Sequence, residues 1–287
     1  MNRMPLLDDA TIADFACDGA VVLRGLLTAT EVNQLAQGIE HNLAHPSPLR
    51  LIASQADDPG QFVEDFCTWQ NNPFYREVMT RSALPEVAAQ LMQSQTVRLY
   101  HDHLLVKEPG TRQPTPWHQD QPYYNVSGRQ NVSFWIPVDP VPLESTLRLV
   151  AGSHAGTWYM PRTFRDSQAK WFPEGTLAEL PDIDAVINNK NGAAPGPFRQ
   201  LAWALQPGDA VAFHMLSLHA SSGVGPQGRR RVFSARYVGD DARHAVRPWR
   251  TSPPFEGLSH RLPDGAAMDD ALFPLVWPVQ PQASPSA

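Results

Sequence analysis

Apolar residues recur at helical spacing early in the chain and at strand-like spacing over most of the rest. The clearest helical pattern covers residues 28–44, where one face carries Val32, Leu35, Ala36, Ile39 and Leu43. At its start, Thr28-Ala29-Thr30-Glu31 fits a capping box, in which the threonine and glutamate side chains bond the free backbone N–H groups of the first turn. The pattern therefore predicts a helix over 28–44, preceded by a strand over 20–23.

Short apolar and aromatic runs after residue 95 predict mainly strands. A second helix is expected at 85–92, with a proline at an early position. The strands are expected at 97–106, 132–138, 147–150, 201–205, 210–215 and 231–238. Gln206-Pro207-Gly208-Asp209 has the signature of a type II turn between two of them. Helices followed by many short strands favour a mainly β fold with flanking helices, either a barrel or a sandwich.

Two segments break this pattern. Residues around 155–200 show little periodicity, and long irregular segments within a domain are typical of lids or binding loops. The tail over 278–287 is rich in Pro, Ser and Ala and is predicted to be disordered. We therefore expect one domain over 1–277 with an irregular lid, followed by a short tail.

Charge and composition exclude several classes of partner. The chain has 287 residues and a net charge of −6, which disfavours binding to nucleic acid or to an anionic membrane. Its two cysteines are too few for a disulfide framework or a zinc cluster. Neither a run of 18 apolar residues nor a signal-peptide pattern is present. We expect a soluble, cytoplasmic protein with a small-molecule partner; the oligomeric state is left open.

The most informative motif is His118-Gln119-Asp120 together with the distant His219. Two histidines and a carboxylate form the facial triad that holds non-heme Fe(II) and leaves open positions for other ligands. In an extended segment, residues two apart project to the same side, so His118 and Asp120 would converge. We expect His219 to end the strand that begins just after Pro207-Gly208. Because H-x-D arises often by chance, two surface histidines with a solvated aspartate remain the alternative.

A run of three arginines lies downstream of His219. Strand alternation places Arg229 and Arg231 on one side and Arg230 on the other, with Ser234. An Fe(II) oxygenase that uses 2-oxoglutarate needs a buried cation for the far carboxylate of that ligand. The arginine fork matches a carboxylate with two hydrogen bonds, and a serine hydroxyl can add another donor. Arg230 is thus the candidate, although such runs are commonly solvated.

The segments around these residues resemble the phytanoyl-CoA dioxygenase family of Fe(II)/2-oxoglutarate oxygenases. The matching segments are FACDGAVVLRGLLTATEVNQL, LLVKEPG, PWHQD, AGSH, PGDAVAFH, and HASS with the following RRRVFSARY. The resemblance covers most of the chain. It implies a double-stranded β-helix, the cupin-like jelly roll, that binds Fe(II), 2-oxoglutarate and O2.

The resemblance also assigns roles to individual residues. It implies that His118, Asp120 and His219 are the iron ligands and that Arg230 binds the distal carboxylate of 2-oxoglutarate. Further residues that it places near the co-substrate are His103, Trp135 and Ser221, and Gln119 is expected there from its position between two ligands. The implied reaction oxidises a C–H bond of a small molecule, most simply to an alcohol, and releases succinate and CO2. Related halogenases lack the carboxylate, so Asp120 disfavours halogenation.

Two other functions remain open at this point. One is a non-catalytic binding protein that kept the jelly roll, which the intact triad disfavours. The other is an oxygen-independent, metal-dependent enzyme of a cupin-like barrel, which would not need Arg230. The substrate is not identified by the sequence. Aromatic residues around the predicted mouth indicate a partly apolar or cyclic substrate, as in secondary metabolism; they are Trp117, Tyr123, Tyr124, Trp158, Tyr159 and Trp171.

Overall fold

Two antiparallel sheets face each other across a cavity in the structure, a computed structural model that describes residues 7–164, 177–187 and 199–278. The helices are α1 (Asp9–Asp18), α2 (Ala29–Ala44), α3 (Pro73–Arg81), α4 (Leu84–Met92), α5 (Ile183–Ile187) and α6 (Leu258–Arg261). The strands are β1 (Ala20–Leu23), β2 (Leu51–Ile52), β3 (Phe62–Phe66), β4 (Val97–Lys107), β5 (Thr115–His118), β6 (Val126–Ser127), β7 (Asn131–Pro137), β8 (Leu147–Val150), β9 (Gln200–Ala202), β10 (Ala210–Phe213), β11 (His219–Ser221), β12 (Arg230–Val238), β13 (Arg243–His244) and β14 (Leu275–Trp277).

The larger sheet has the strand order β1-β10-β7-β12-β4-β3-β2, with β14 also pairing to β4. The smaller sheet has the order β5-β11-β8-β9, and β13 pairs with β6 in a separate ribbon. Neighbouring strands of both sheets come from distant parts of the chain, as β1 with β10 and β5 with β11. This is the double-stranded β-helix of cupin-like proteins, so the predicted mainly β fold with flanking helices is confirmed.

Helices α1 to α4 cover the outer face of the larger sheet. Leu35 and Ile39 of α2 and Met79 of α3 belong to one buried apolar cluster with Phe233 and Tyr237 of β12. The Tyr237 hydroxyl also donates a hydrogen bond of 2.8 Å to the carbonyl oxygen of Met79. Because side chains alternate along a strand, Ser234 and Arg236 of β12 face the cavity instead. The same strand therefore builds the helix–sheet core and one wall of the cavity.

Most predicted elements are present. The capping box of α2 forms as expected, with reciprocal bonds between Thr28 and Glu31. The turn before β10 also forms: the Asp209 N–H bonds the Gln206 carbonyl at 2.9 Å, and Gly208 has φ +102°. Helices α1 and α3 and strand β3 were not predicted. In α1 only Phe15 is buried, so its sequence carries almost no apolar period.

The prediction that His219 ends the strand after Pro207-Gly208 is wrong. β10 ends at Phe213, the backbone turns so that the Ser217 N–H bonds the His214 carbonyl at 2.8 Å, and His219 begins β11. β10 pairs with β1 and β7 in the larger sheet, whereas β11 pairs with β5 and β8 in the smaller one. An apolar run does not show where a chain passes from one sheet to the other, so the sequence suggested one continuous strand.

Other predictions fall at the limits of the described residues. Strand β9 ends at Ala202, short of the expected 205, and Leu205 forms only an isolated bridge to Val141. The irregular segment predicted at 155–200 lies outside the described residues at 165–176 and 188–198, as does the predicted tail from 279 onward. In the described part of the chain, no helix is long and apolar enough to cross a membrane.

The capping box gives a stability prediction. Thr28→Ala removes the side-chain acceptor for the Glu31 N–H, which should lower the free energy of unfolding by about 1 kcal/mol. The measurement is urea unfolding followed by circular dichroism. Thr30→Ala, on the exposed side of the first turn, is the matched control and should be neutral or slightly stabilising. Equal midpoints for the two variants would show that the cap contributes nothing.

Candidate active site

The predicted triad comes together between the sheets. His118 is the last residue of β5 and His219 the first of β11, and the two are directly paired in the strand register. Asp120 lies beyond the end of β5, in helical backbone conformation, at the start of a short 3-10 turn. Its Oδ1 is 3.6 Å from the Nε2 atom of each histidine, and all three residues are buried. The three side chains converge as predicted, but not because Asp120 continues the strand.

Backbone carbonyls orient both imidazole rings. The Nδ1 atom of His118 is 2.8 Å from the Pro116 carbonyl oxygen, and that of His219 is 2.8 Å from the Ser217 carbonyl oxygen. A carbonyl oxygen only accepts, so Nδ1 carries the proton and Nε2 presents its lone pair. Burial and the neighbouring His118 lower the pKa of His219 to about 3, which keeps it neutral. In metal sites, histidine ligands are commonly oriented in this way, by a hydrogen bond from the second ring nitrogen to a carbonyl or carboxylate oxygen.

Arg236 holds the carboxylate of the triad. Its Nε and Nη2 atoms lie 3.3 and 3.1 Å from Asp120 Oδ2, and the Ser133 hydroxyl is 3.3 Å from the same oxygen. Burial alone would raise the pKa of Asp120, but the Arg236 guanidinium and the two histidines hold it well below its usual range. Asp120 is therefore ionised, with Oδ2 held by donors and Oδ1 directed at the histidines. One carboxylate oxygen and two imidazole nitrogens are the donor set that suits non-heme Fe(II).

Arg236 is not among the predicted site residues, although the sequence carries a signal for it. The alternation that separates Arg230 from its neighbours continues along β12 through Ser234 to Arg236, which places all three on the cavity side. An arginine at that position of a buried strand needs an anionic partner. The sequence thus indicates that Arg236 needs an acidic partner, but it does not show that this partner is Asp120.

Arg230 lies at the inner end of the cavity. It is 5% exposed, and its guanidinium donates to the Ser145 carbonyl oxygen and, over 3.1 Å, to the Ser221 hydroxyl. The guanidinium carbon is 5.6 Å from the Trp135 ring centroid. Burial lowers the pKa of Arg230 to about 10, and no acidic side chain among the described residues forms an ion pair with it. A buried arginine without an anion is suited to a carboxylate ligand.

The arginines on either side of Arg230 face the other way. Arg229 pairs with Glu40 and Glu108, and Arg231 pairs with Glu40 and Asp139. The separation that alternation predicted for the three arginines is therefore present in the structure.

Other predicted co-substrate residues line the same inner cavity. They are His103, Trp135, Ser221 and Ser234. The Ser234 hydroxyl is buried and has no hydrogen-bond partner in the described part of the chain, which is unusual for a buried polar atom. The cavity is narrow, with a volume of about 30 Å³. These features fit a carboxylate-bearing ligand that both bonds Arg230 and supplies the missing partner of Ser234.

Gln119, also predicted near the co-substrate, is not among the described residues that line the two cavities. Its Nε2 donates to the carbonyl oxygens of Thr157 and Leu216 over 2.9 and 3.0 Å, and its Oε1 accepts from the Tyr159 N–H. Its observed contacts fix residues 157–159 against the triad instead of reaching the co-substrate pocket.

A larger outer cavity adjoins the inner one at His103, His118, Asp120 and Phe164, and its volume is about 340 Å³. Its remaining lining is Leu51, Ile52, Ala53, Glu64, Phe66, Tyr123, Tyr124, Arg162, Thr163 and Ser252. Of the aromatic residues expected at the mouth, Tyr123 and Tyr124 line this cavity, and Trp171 lies outside the described residues. The volume lies within the range of small-molecule sites.

Comparison with known proteins agrees with this geometry. The sequence profile of the phytanoyl-CoA dioxygenase (PhyH) family matches residues 15–232. The chain belongs to this family, which confirms the resemblance seen in the sequence. No curated protein sequence matches the chain.

Solved structures share the fold over nearly the whole chain. The non-heme α-ketoglutarate-dependent carbocyclase SnoK from nogalamycin biosynthesis is 22% identical, with a TM-score of 0.70 over 94% of this chain and 96% of that one. The epimerase SnoN in complex with Fe3+, α-ketoglutarate and nogalamycin RO is 20% identical, with a TM-score of 0.69 over 93% and 98%. EctD from S. alaskensis with 2-oxoglutarate and 5-hydroxyectoine is 19% identical, with a TM-score of 0.62 over 87% and 84%. At these identities the likeness establishes the jelly-roll fold.

The contact between Arg236 and Asp120 predicts an effect on metal binding. Arg236→Gln removes the guanidinium that holds Oδ2, so the affinity for Fe(II) should fall about 10- to 100-fold. Anaerobic titration against a competing chelator measures this affinity. Arg81→Gln makes the same change on an exposed helix position and should leave it unaltered. Unchanged affinity in a folded Arg236→Gln protein would mean that Asp120 does not need this support.

Proposed function

We propose that this protein is an Fe(II)/2-oxoglutarate-dependent dioxygenase that oxidises a C–H bond of a small molecule and releases succinate and CO2. The observation that carries the proposal is the buried His118–Asp120–His219 cluster, within the same cavity as an arginine that has no acidic partner among the described residues. Membership in the phytanoyl-CoA dioxygenase family supports it. So do the iron and 2-oxoglutarate named for SnoN and EctD.

The residues divide the work between two cavities. The Nε2 atoms of His118 and His219 and the Oδ1 atom of Asp120 would hold the metal. Iron, when bound, supplies the redox chemistry that couples O2 to decarboxylation of 2-oxoglutarate and to oxidation of the substrate. Arg230 binds the distal carboxylate of 2-oxoglutarate in the inner cavity, with hydroxyl donors at Ser221 and Ser234.

The outer cavity receives the substrate next to the metal ligands. Apolar and aromatic walls exclude water from the reacting centre and orient the substrate; they include Phe66, Tyr123, Tyr124 and Phe164. The relatives named above include a carbocyclase and an epimerase, which supports a reaction outcome that is not restricted to hydroxylation. Their nogalamycin context supports a substrate from secondary metabolism.

The two alternative functions are less favoured. A non-catalytic binding protein has no need for three converging metal ligands beside a substrate-sized cavity. An oxygen-independent metal enzyme has no need for a buried arginine at the inner end of that cavity. We propose further that residues 1–277 act as one catalytic domain and that the protein is cytoplasmic, with Cys17 and Cys67 as free thiols.

Removal of a metal ligand should abolish turnover. Purified protein supplied with Fe(II), 2-oxoglutarate and ascorbate should release succinate, and His118→Ala or Asp120→Ala should reduce this release to background, because either change leaves an incomplete donor set. Succinate is quantified by chromatography. His260→Ala, at an exposed position, is the control and should behave like the unaltered protein. Succinate formation that survives both ligand substitutions would overturn the proposal.

The role of Arg230 is testable without turnover. Under anaerobic conditions with Fe(II), 2-oxoglutarate should raise the melting temperature, because it binds the folded state only. Arg230→Gln should remove most of this shift, because the distal carboxylate loses its cation. Arg229→Gln, one residue away on the surface, should keep it. If 2-oxoglutarate produces no shift in the unaltered protein, the oxygen-independent metal enzyme becomes the better explanation.

A further inference from the structure

A second buried cation lies beside Arg230. Lys107 is the last residue of β4, is 0% exposed, and pairs directly with Arg230 of β12 in the strand register. Side chains of directly opposed residues leave an antiparallel sheet on the same face, about 5 Å apart at Cβ. His103 and Leu105, which precede Lys107 by four and two residues on β4, line the inner cavity, as Arg230 does. Lys107 therefore stands on the side of the sheet that carries the candidate co-substrate site.

The amino group of Lys107 makes contacts that suit a positive charge. Nζ donates hydrogen bonds of 2.8 Å to the Gln113 carbonyl oxygen and of 2.9 Å to the Ser222 carbonyl oxygen. It also lies 4.5 Å from the ring centroid of Phe62, which lines the inner cavity. An ammonium has three N–H donors, and two carbonyl oxygens with the face of an aromatic ring match them.

Neither cation forms an ion pair with an acidic side chain in the part of the chain that the structure describes. Burial and the neighbouring Arg230 lower the pKa of Lys107 well below its usual value, whereas the carboxylates of Glu64 and Asp58 act in the opposite direction. Burying two like charges side by side is costly, because both lose water and each repels the other. A bound anion offsets both effects, so the pair is suited to a ligand with a negatively charged group.

A purely structural role for Lys107 is the alternative. Its two carbonyl contacts connect β4 of the larger sheet to Gln113, ahead of β5, and to Ser222, directly after β11, so the side chain also ties the two sheets together. A neutral donor can make the same kind of hydrogen bond without a second buried charge beside Arg230. The tie therefore accounts for the hydrogen bonds, but it does not account for the charge.

We propose that Lys107 is the second cation of the co-substrate site and contributes to its selectivity for a 2-oxoacid with a distal carboxylate. Arg230 binds that carboxylate directly. Lys107 is not among the described residues that line the cavities, so it acts through its charge and by holding Ser222, next to the Ser221 hydroxyl that bonds Arg230. The inference rests on the proposed function, because it concerns the binding of 2-oxoglutarate at the same site.

The first test compares two ligands that differ only at the far end. 2-Oxopentanoate has the chain length of 2-oxoglutarate, with a methyl group in place of the distal carboxylate. Dissociation constants are measured by calorimetry under anaerobic conditions with Fe(II) bound, at ligand concentrations into the millimolar range. Lys107→Gln should weaken 2-oxoglutarate about 10-fold, because the distal carboxylate loses one of two nearby positive charges, and should change 2-oxopentanoate by less than about 2-fold.

A matched variant and the second ligand control for other effects of the substitution. Arg229→Gln removes a positive charge one residue from Arg230, on the other side of β12, where Arg229 pairs with Glu40 and Glu108. It should change neither affinity. If Lys107 served only to tie the sheets together, Lys107→Gln would loosen the site as a whole and weaken both ligands alike.

The second test begins with Lys107 in place and so does not depend on the folding of its variant. Arg230→Gln removes the guanidinium but leaves the charge of Lys107, so 2-oxoglutarate should still bind about 10-fold more tightly than 2-oxopentanoate. Adding Lys107→Gln should then remove this remaining preference. If the preference came from the hydroxyls of Ser221 and Ser234 alone, the double variant would retain it.

The outcomes separate this inference from the proposed function. An equal effect on both ligands in a folded Lys107→Gln protein, or no effect on either, would overturn the inference. The absence of any preference for 2-oxoglutarate in Arg230→Gln would overturn it as well, whether or not Lys107→Gln folds. An unaltered protein that does not bind 2-oxoglutarate in the presence of Fe(II) would contradict the proposed function instead.

Discussion

The ion pair between Arg236 and Asp120 connects the two layers of this protein at its candidate metal centre. Arg236 belongs to the larger sheet, and Asp120 directly follows the first strand of the smaller one. Both side chains are almost fully buried, so neither charge is tolerable without the other. The pair therefore constrains how the sheets approach each other. It also keeps the carboxylate ionised and turned towards the two histidines.

Strand β12 shows why fold and site depend on each other. One side of it supplies Phe233 and Tyr237 to the core under the helices, and the other supplies Arg230, Ser234 and Arg236 to the cavity. A register slip of one residue would place the arginines in the apolar core and the aromatic rings in the site. Packing of the helices against β12 thus selects the strand register that places these side chains in the cavity. The helices need not contact the metal ligands to do so.

Electrostatics links the metal centre to the substrate cavity in a similar way. Asp120, Arg236 and His103 form a continuous sequence of contacts in which an anion, a cation and a neutral ring follow one another, and His103 contacts Glu64 in turn. The neighbouring group determines which atom carries the proton in each hydrogen bond, because a guanidinium only donates and an ionised carboxylate only accepts. The inner cavity is lined by the cationic Arg230 as well.

Features that depend on neighbours in sequence were predictable from the chain alone. They include the capping box of α2, the turn before β10 and the orientation of Arg230, because local hydrogen bonding and strand alternation involve only a few residues. Together with the family's motifs they also predicted the triad. The change of sheet before His219, the Arg236–Asp120 pair and the placement of Glu64 behind His103 were decided only by the tertiary structure. Each depends on strands that are distant in sequence and become neighbours when the sheets form, and a one-dimensional pattern does not contain that pairing.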